Sequence, residues 1–96
     1  MSAAMIALPA QLTLRDAGVA LRALGPAIAQ AAEATITLDA GALAQSDSAA
    51  LAVLLEGRRQ AAARQRQFEV VNAPPRLTEL ARLYGVQDLL ALRESA

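Results

Sequence analysis

The sequence contains no histidine, no cysteine and no lysine among its 96 residues. Without cysteine the chain forms no disulfide and has no thiol chemistry. Without histidine it lacks the commonest general base, and the absence of both residue types removes almost every transition-metal ligand set. We therefore expect a protein that is not an enzyme and that holds neither a metal ion nor a cofactor.

Aromatic residues are nearly absent as well, at 2%, although 55% of the chain is hydrophobic. The core must therefore be built from aliphatic side chains and alanine. Nine basic residues, all of them arginine, balance nine acidic ones. A neutral chain argues against nucleic-acid binding, which usually shows a net basic face, and the length predicts one domain over residues 1–96.

Long hydrophobic runs are also missing. The longest uninterrupted one covers residues 49–55, seven residues, whereas a membrane span needs about 20. The first nine residues have neither a basic residue nor a long apolar segment and so do not resemble a secretory signal. We expect a soluble, cytoplasmic protein that does not insert into a membrane and reaches one only through a partner.

Hydrophobic periodicity predicts strands alternating with helices. We expect strands at residues 5–8, 12–14, 34–38 and 68–71, a loop at 40–46, helices at 15–32, 48–64 and from Pro75 to a stop at Gly85, and a last short apolar element within 86–92. Gly25 and Pro26 predict a kinked first helix, or two short helices that meet there. Gly57 predicts a close contact on the second helix. By spacing, the core should include Leu51, Leu55, Leu77, Leu80 and Leu83.

Alternating strands and helices predict an α/β domain whose sheet is at least partly parallel. Such sheets place functional loops at the carboxyl ends of their strands. The segment 40–48 is such a loop, and it ends in Asp47 and Ser48 at the start of a strongly apolar helix. We therefore expect any functional site at Asp47 and Ser48.

Ser48 allows two interpretations that are compatible. Asp47 or Ser48 caps the helix, or Ser48 is a contact or phosphorylation site at a partner interface. A nucleophilic role is disfavoured because no histidine or lysine exists to activate the hydroxyl. Nucleotide binding remains a minor alternative, since no Gly-rich phosphate loop is present. Asp39, at the end of a strand, either organises its loop or belongs to the site. The arginines late in the second helix are either a solvated helix end or a contact for acidic partner residues.

The order of these segments resembles the STAS domain family, named after sulfate transporters and anti-sigma-factor antagonists. The similarity rests on Leu38-Asp39, on Asp47-Ser48 with the following Ala49-Ala50-Leu51, on the segment 68–72, and on the segment 77–86. It spans about residues 5–92. The resemblance implies a small mixed sheet of about four strands with helices packed on it, and a partner-binding site at Gln45, Ser46, Asp47, Ser48, Ala49, Ala50 and Asp39.

Within that family, residues 49–90 look most similar to the MlaB branch, whose members are cytoplasmic subunits of a phospholipid-transporting ABC complex. This resemblance implies binding to the ATPase subunit through residues 44–48 and the first turns of the second helix. The alternative is an anti-sigma-factor antagonist whose partner is a serine kinase. Ala50 stands where many members have glycine, which weakens the case for a phosphorylation cycle. The isolated chain is also a candidate homodimer.

Overall fold

The computed structural model describes residues 4–94 as six strands and three helices. In chain order these are β1 (Ala4–Ala7), β2 (Gln11–Leu12), α1 (Ala17–Gln30), β3 (Thr35–Asp39), β4 (Gln45–Ser46), α2 (Ser48–Ala63), β5 (Gln67–Ala73), α3 (Pro75–Leu83) and β6 (Leu92–Glu94).

The main sheet has four strands in the order β1-β3-β5-β6. Every pair in it is parallel, with Ile6 opposite Leu38 and Leu38 opposite Val70. The prediction of an α/β fold with about four strands is confirmed, whereas the mixed sheet is wrong for the described residues. Each crossover carries a helix, and the strand order runs in one direction, so right-handed connections place all three helices on one face.

The two faces of the sheet differ in chemistry because side chains alternate along each strand. Ile36, Leu38 and Val70 point to the helices and are completely buried. On the opposite face, Thr37 Oγ1 donates to Glu69 at 2.8 Å, and Glu69 also pairs with Arg93. Along β3 the threonines alternate with Ile36 and Leu38 and lie on the face that carries no helix.

Close packing between α1 and α2 depends on Gly57, as predicted. A Cβ atom at this position would lie 2.9 Å from Leu24 Cδ2 and 3.4 Å from Phe68 Cε1. Leu24 is only 5% exposed, so it has little room to move. The missing side chain lets the two helices and β5 approach each other.

The first helix is a single element, Ala17–Gln30, that continues through Pro26, so of the two alternatives the pair of short helices is excluded. Two other element predictions need correction. The expected loop 40–46 includes β4, which pairs with β2 in a small parallel sheet. The last apolar element is a turn followed by β6, which begins only at Leu92.

The core prediction for Leu83 is wrong, because this side chain is 79% exposed. The buried stripe of α3 consists of Leu77, Thr78, Leu80 and Ala81. A spacing of three residues turns by about 300° per step in a helix of 3.6 residues per turn, so the third leucine of the series leaves this stripe. The other predicted core leucines are buried, apart from Leu55, which is half-buried against the core.

Candidate functional site

Asp47 fixes the start of α2 and joins it to the segment before α1. Its Oδ1 atom accepts a hydrogen bond from the Ala49 amide at 2.9 Å, which caps the helix. Its Oδ2 atom accepts from the Leu14 amide at 3.2 Å. Both carboxylate oxygens are thus engaged by backbone donors, and the capping role considered for Asp47 is present.

Ser48 is the first residue of α2 and is exposed. Within residues 4–94, its hydroxyl makes no hydrogen bond. A serine nucleophile needs a neighbouring base to take its proton. Asp47 is already bonded to two amides, and the chain has no histidine or lysine.

A shallow groove of about 440 Å³ lies beside Ser48, between the amino-terminal parts of α1 and α2. Leu14 is 79% exposed at its margin, and Ala52 is exposed one turn after Ser48. The walls are mostly apolar and small. The residues that line the groove are Leu14, Ala17, Leu21, Asp47, Ser48, Ala49, Ala52 and Val53.

Gln45 and Ser46 form β4 and hold the loop before the helix in place. They pair with Gln11 and Leu12 of β2, and the amides of Ala44 and Gln45 both donate to the Ala10 carbonyl, at 2.7 and 3.0 Å. Gln45 is exposed and Ser46 is half-buried. The loop that precedes Ser48 is thus anchored by backbone hydrogen bonds at both ends.

Ala49 and Ala50 differ in exposure although both follow Ser48 directly. Ala49 is half-buried and lines the groove, whereas Ala50 is completely buried. The methyl group of Ala50 therefore lies in the core and is not part of the exposed surface around Ser48.

Asp39 lies apart from the groove, at the carboxyl end of β3. Its Oδ1 atom accepts from Asn72 Nδ2 at 3.0 Å and from the Gly41 amide at 2.9 Å. These two donors, the Asn72 amide foremost, lower the pKa of Asp39 below its usual value. Asn72 adopts a left-handed backbone with φ 58°, which asparagine tolerates better than most residues. Asp39 thus organises the loop after β3 and is not among the groove residues.

Sequence reasoning missed the contribution of the segment before α1. The hydrophobic pattern predicts Leu14 inside a short strand, yet Leu14 lies in the turn before α1 and borders the groove. Its contact with Asp47 spans 33 residues of chain, and no local pattern carries that information.

No helix within the part of the chain that the structure describes is long and apolar enough to cross a membrane.

Comparison with known proteins agrees with the fold described above. The fold is similar to an anti-sigma-factor antagonist (STAS) domain protein from Planctomyces limnophilus, with a TM-score of 0.79 and 18% identity over 96% of this chain and 81% of that one. It is also similar to the anti-sigma factor antagonist SpoIIAA in its unphosphorylated form, with a TM-score of 0.76 and 20% identity over 96% of this chain and 78% of that one. The comparison with curated proteins gives no significant match. The family model described as "Mlab, STAS domain" matches residues 1–93, and the chain therefore belongs to the Mlab STAS domain family.

Proposed function

We propose that this protein is a non-catalytic subunit that docks on the cytoplasmic ATPase of a phospholipid-transporting ABC complex. Docking uses the surface formed by Gln45, Ser46, Ser48, Ala49 and the groove beside them. The observation that carries the proposal is the exposed, unbonded Ser48 hydroxyl beside the exposed Leu14 side chain, on a helix start held by Asp47.

The chemistry of this surface supports docking to a protein. Protein interfaces combine an apolar core with a polar rim, and the exposed Leu14 with Gln45 and Ser48 offers both kinds of group. The backbone is held by Asp47 and by β4, so little conformational entropy is lost on binding. Membership of the Mlab STAS domain family supports an ABC transporter as the setting.

A second candidate is an anti-sigma-factor antagonist switched by a serine kinase. The exposure of Ser48 favours it, because a kinase must reach the hydroxyl. A phosphate on the first residue of α2 would add a charge of about −1.5 to −2 at the positive end of the helix dipole. Transfer of phosphate from ATP to Ser48 by a host kinase, followed by release of a bound partner, would select this candidate over the first.

The test is copurification from detergent-solubilised host membranes, comparing the tagged native chain with Ser48→Arg. Arginine at this exposed position adds bulk and charge without entering the core, so the fold should persist. We expect the native chain to recover an ABC ATPase together with its permease, and Ser48→Arg to lose both.

The matched control is Gln30→Arg, which places the same side chain at an exposed position at the far end of α1. It should recover the transporter as well as the native chain does. A Ser48→Arg variant that melts normally and still recovers undiminished ATPase would contradict the proposal.

A further inference from the structure

The end of α2 opposite Ser48 carries a cluster of arginines that the proposed docking surface does not use. Arg58, Arg59, Arg64 and Arg66 lie in the last turns of α2 and the turn before β5. Arg59 is neutralised by Glu56, with 2.6 Å between Arg59 Nη2 and Glu56 Oε2. Arg66 Nη1 donates to the Glu33 backbone carbonyl, which is uncharged. Within residues 4–94, Arg58 and Arg64 have no acceptor.

Arg58 and Arg66 both line a small pocket of about 240 Å³. Both residues are half-buried. A planar carboxylate is the group that guanidinium binds best. The remaining walls are Ala62, Gln67, Phe68 and Leu89, of which Leu89 is 46% exposed.

We propose that this pocket, called here the Arg58–Arg66 pocket, docks an acidic segment of a protein partner. A glutamate or aspartate of that segment binds between the two guanidinium groups, and an apolar neighbour packs on Leu89. Charge complementarity selects the occupant, because Arg58 and Arg66 face no carboxylate of the described chain within ion-pair distance. The pocket is concave, and the chain as a whole is neutral, which favours a discrete carboxylate over a membrane surface or a nucleic-acid backbone.

The Arg58–Arg66 pocket is distinct from the Ser48 surface. Arg58 lies ten positions after Ser48 on α2, which is roughly 15 Å along the helix axis at a rise of about 1.5 Å per residue. A short acidic segment can therefore bind the pocket without contacting Ser48. The inference does not depend on the proposed function, since an acidic segment can come from the same partner or from another protein.

The experiment measures fluorescence anisotropy of a labelled peptide of alternating glutamate and serine with a central leucine, titrated with the full chain. A matched peptide with glutamine in place of glutamate tests the charge. We expect binding of the glutamate peptide alone, weakened about tenfold or more by Arg58→Gln with Arg66→Gln, and weakened in the native chain by added salt, which screens exposed charges.

Controls separate this result from a loss of structure and from the Ser48 surface. Arg58→Gln alone removes a side chain that makes no hydrogen bond within the described chain, so it should weaken binding while the melting temperature stays unchanged. Arg76→Gln, at an exposed position in the first turn of α3, and Ser48→Arg should both bind the peptide as the native chain does.

Four outcomes would overturn the proposal. In the first the native chain does not bind the glutamate peptide, and in the second it binds the glutamine peptide equally well. In the third, Arg58→Gln with Arg66→Gln retains full affinity for the glutamate peptide. The fourth is arginine-dependent binding to vesicles containing phosphatidylglycerol in the absence of peptide binding, which would assign the cluster to a membrane surface instead.

Discussion

Three aspartates hold loops of this fold in place by accepting hydrogen bonds on their carboxylate groups. Asp47 accepts two backbone amides and Asp39 accepts one amide and one side-chain amide. Asp16, which precedes α1, accepts from both the amide and the hydroxyl of Thr13. At Asp39 and Asp16 these hydrogen bonds favour the ionised carboxylate and lower its pKa, so their loops are held most firmly when these two groups are charged.

The pKa of Asp39 should respond to the loss of the Asn72 side chain. Asn72→Gly removes the amide that contributes most to the lowered pKa, and glycine accepts the left-handed backbone at this position without strain. We expect the pKa of Asp39 to rise towards its usual value. Proton-detected NMR titration of the carboxyl groups measures the change.

The sign of the effect on stability follows from linkage. Because the folded pKa is lowered, the Asn72 contact contributes stability above the usual aspartate pKa of 3.8, and this contribution is lost as pH falls through the folded pKa. Asp16 provides an internal control, since its own lowered pKa arises from Thr13 and should not move. An unchanged Asp39 pKa in Asn72→Gly would contradict this account.

At the scale of elements, α1 and α2 pack tightly against each other at Gly57. Glycine inside a helix costs roughly 1 kcal/mol against alanine, so its presence needs a compensating contact. Leu24 Cδ2 supplies the reason, because it lies 2.9 Å from the point that a Cβ atom of residue 57 would occupy. Gly18, on the exposed side of α1, has its nearest neighbour, Arg22 Nη1, at 3.5 Å and carries the same cost without that contact.

Alanine at these two glycines should therefore have opposite effects. Gly18→Ala should raise the free energy of unfolding by about 0.5–1 kcal/mol through helix propensity. Gly57→Ala should lower the free energy of unfolding, because overpacking a core commonly costs about 1–3 kcal/mol. This cost exceeds the gain in helix propensity that alanine also brings at this position. Urea denaturation of both variants measures the pair, and an equal gain at the two positions would show that the Gly57 contact is unimportant.

The elements that sequence predicted best are those with a local signal. Asp47 as a cap, the apolar run after it and Pro75 at a first turn predicted the starts of α2 and α3 to within a residue. At Pro26 the sequence left a kinked helix and two short helices open, and the structure has one helix that continues through the proline. The groove beside Ser48 was not predictable, since it requires Leu14 and Asp47 to meet across 33 residues.

At the scale of the whole molecule, stability rests on a thin core of aliphatic side chains beneath the helices. Leu38 is completely buried on the second strand of the sheet, between β1 and β5. Native domains are stable by only about 5–15 kcal/mol, so one large cavity removes a substantial part of that margin. The exposed Leu14 contributes to a surface rather than to this core.

Truncation of these two leucines should separate folding from docking. Leu38→Ala should lower the free energy of unfolding by about 2–5 kcal/mol. Leu14→Ala should change it by less than about 0.5 kcal/mol, as is usual for surface positions, and yet reduce recovery of the transporter. Thermal melting and copurification measure the two effects, and a strongly destabilised Leu14→Ala would show that Leu14 belongs to the core.

The strand order β1-β3-β5-β6 also sets how the chain is assembled during translation. Synthesis releases a protein from its amino terminus at about 5–20 residues per second. After β1, each strand of the main sheet that leaves the ribosome finds its neighbour already synthesised, and none is displaced by a later strand. The sheet therefore grows in the order in which it is made, and its growing edge is always the newest strand.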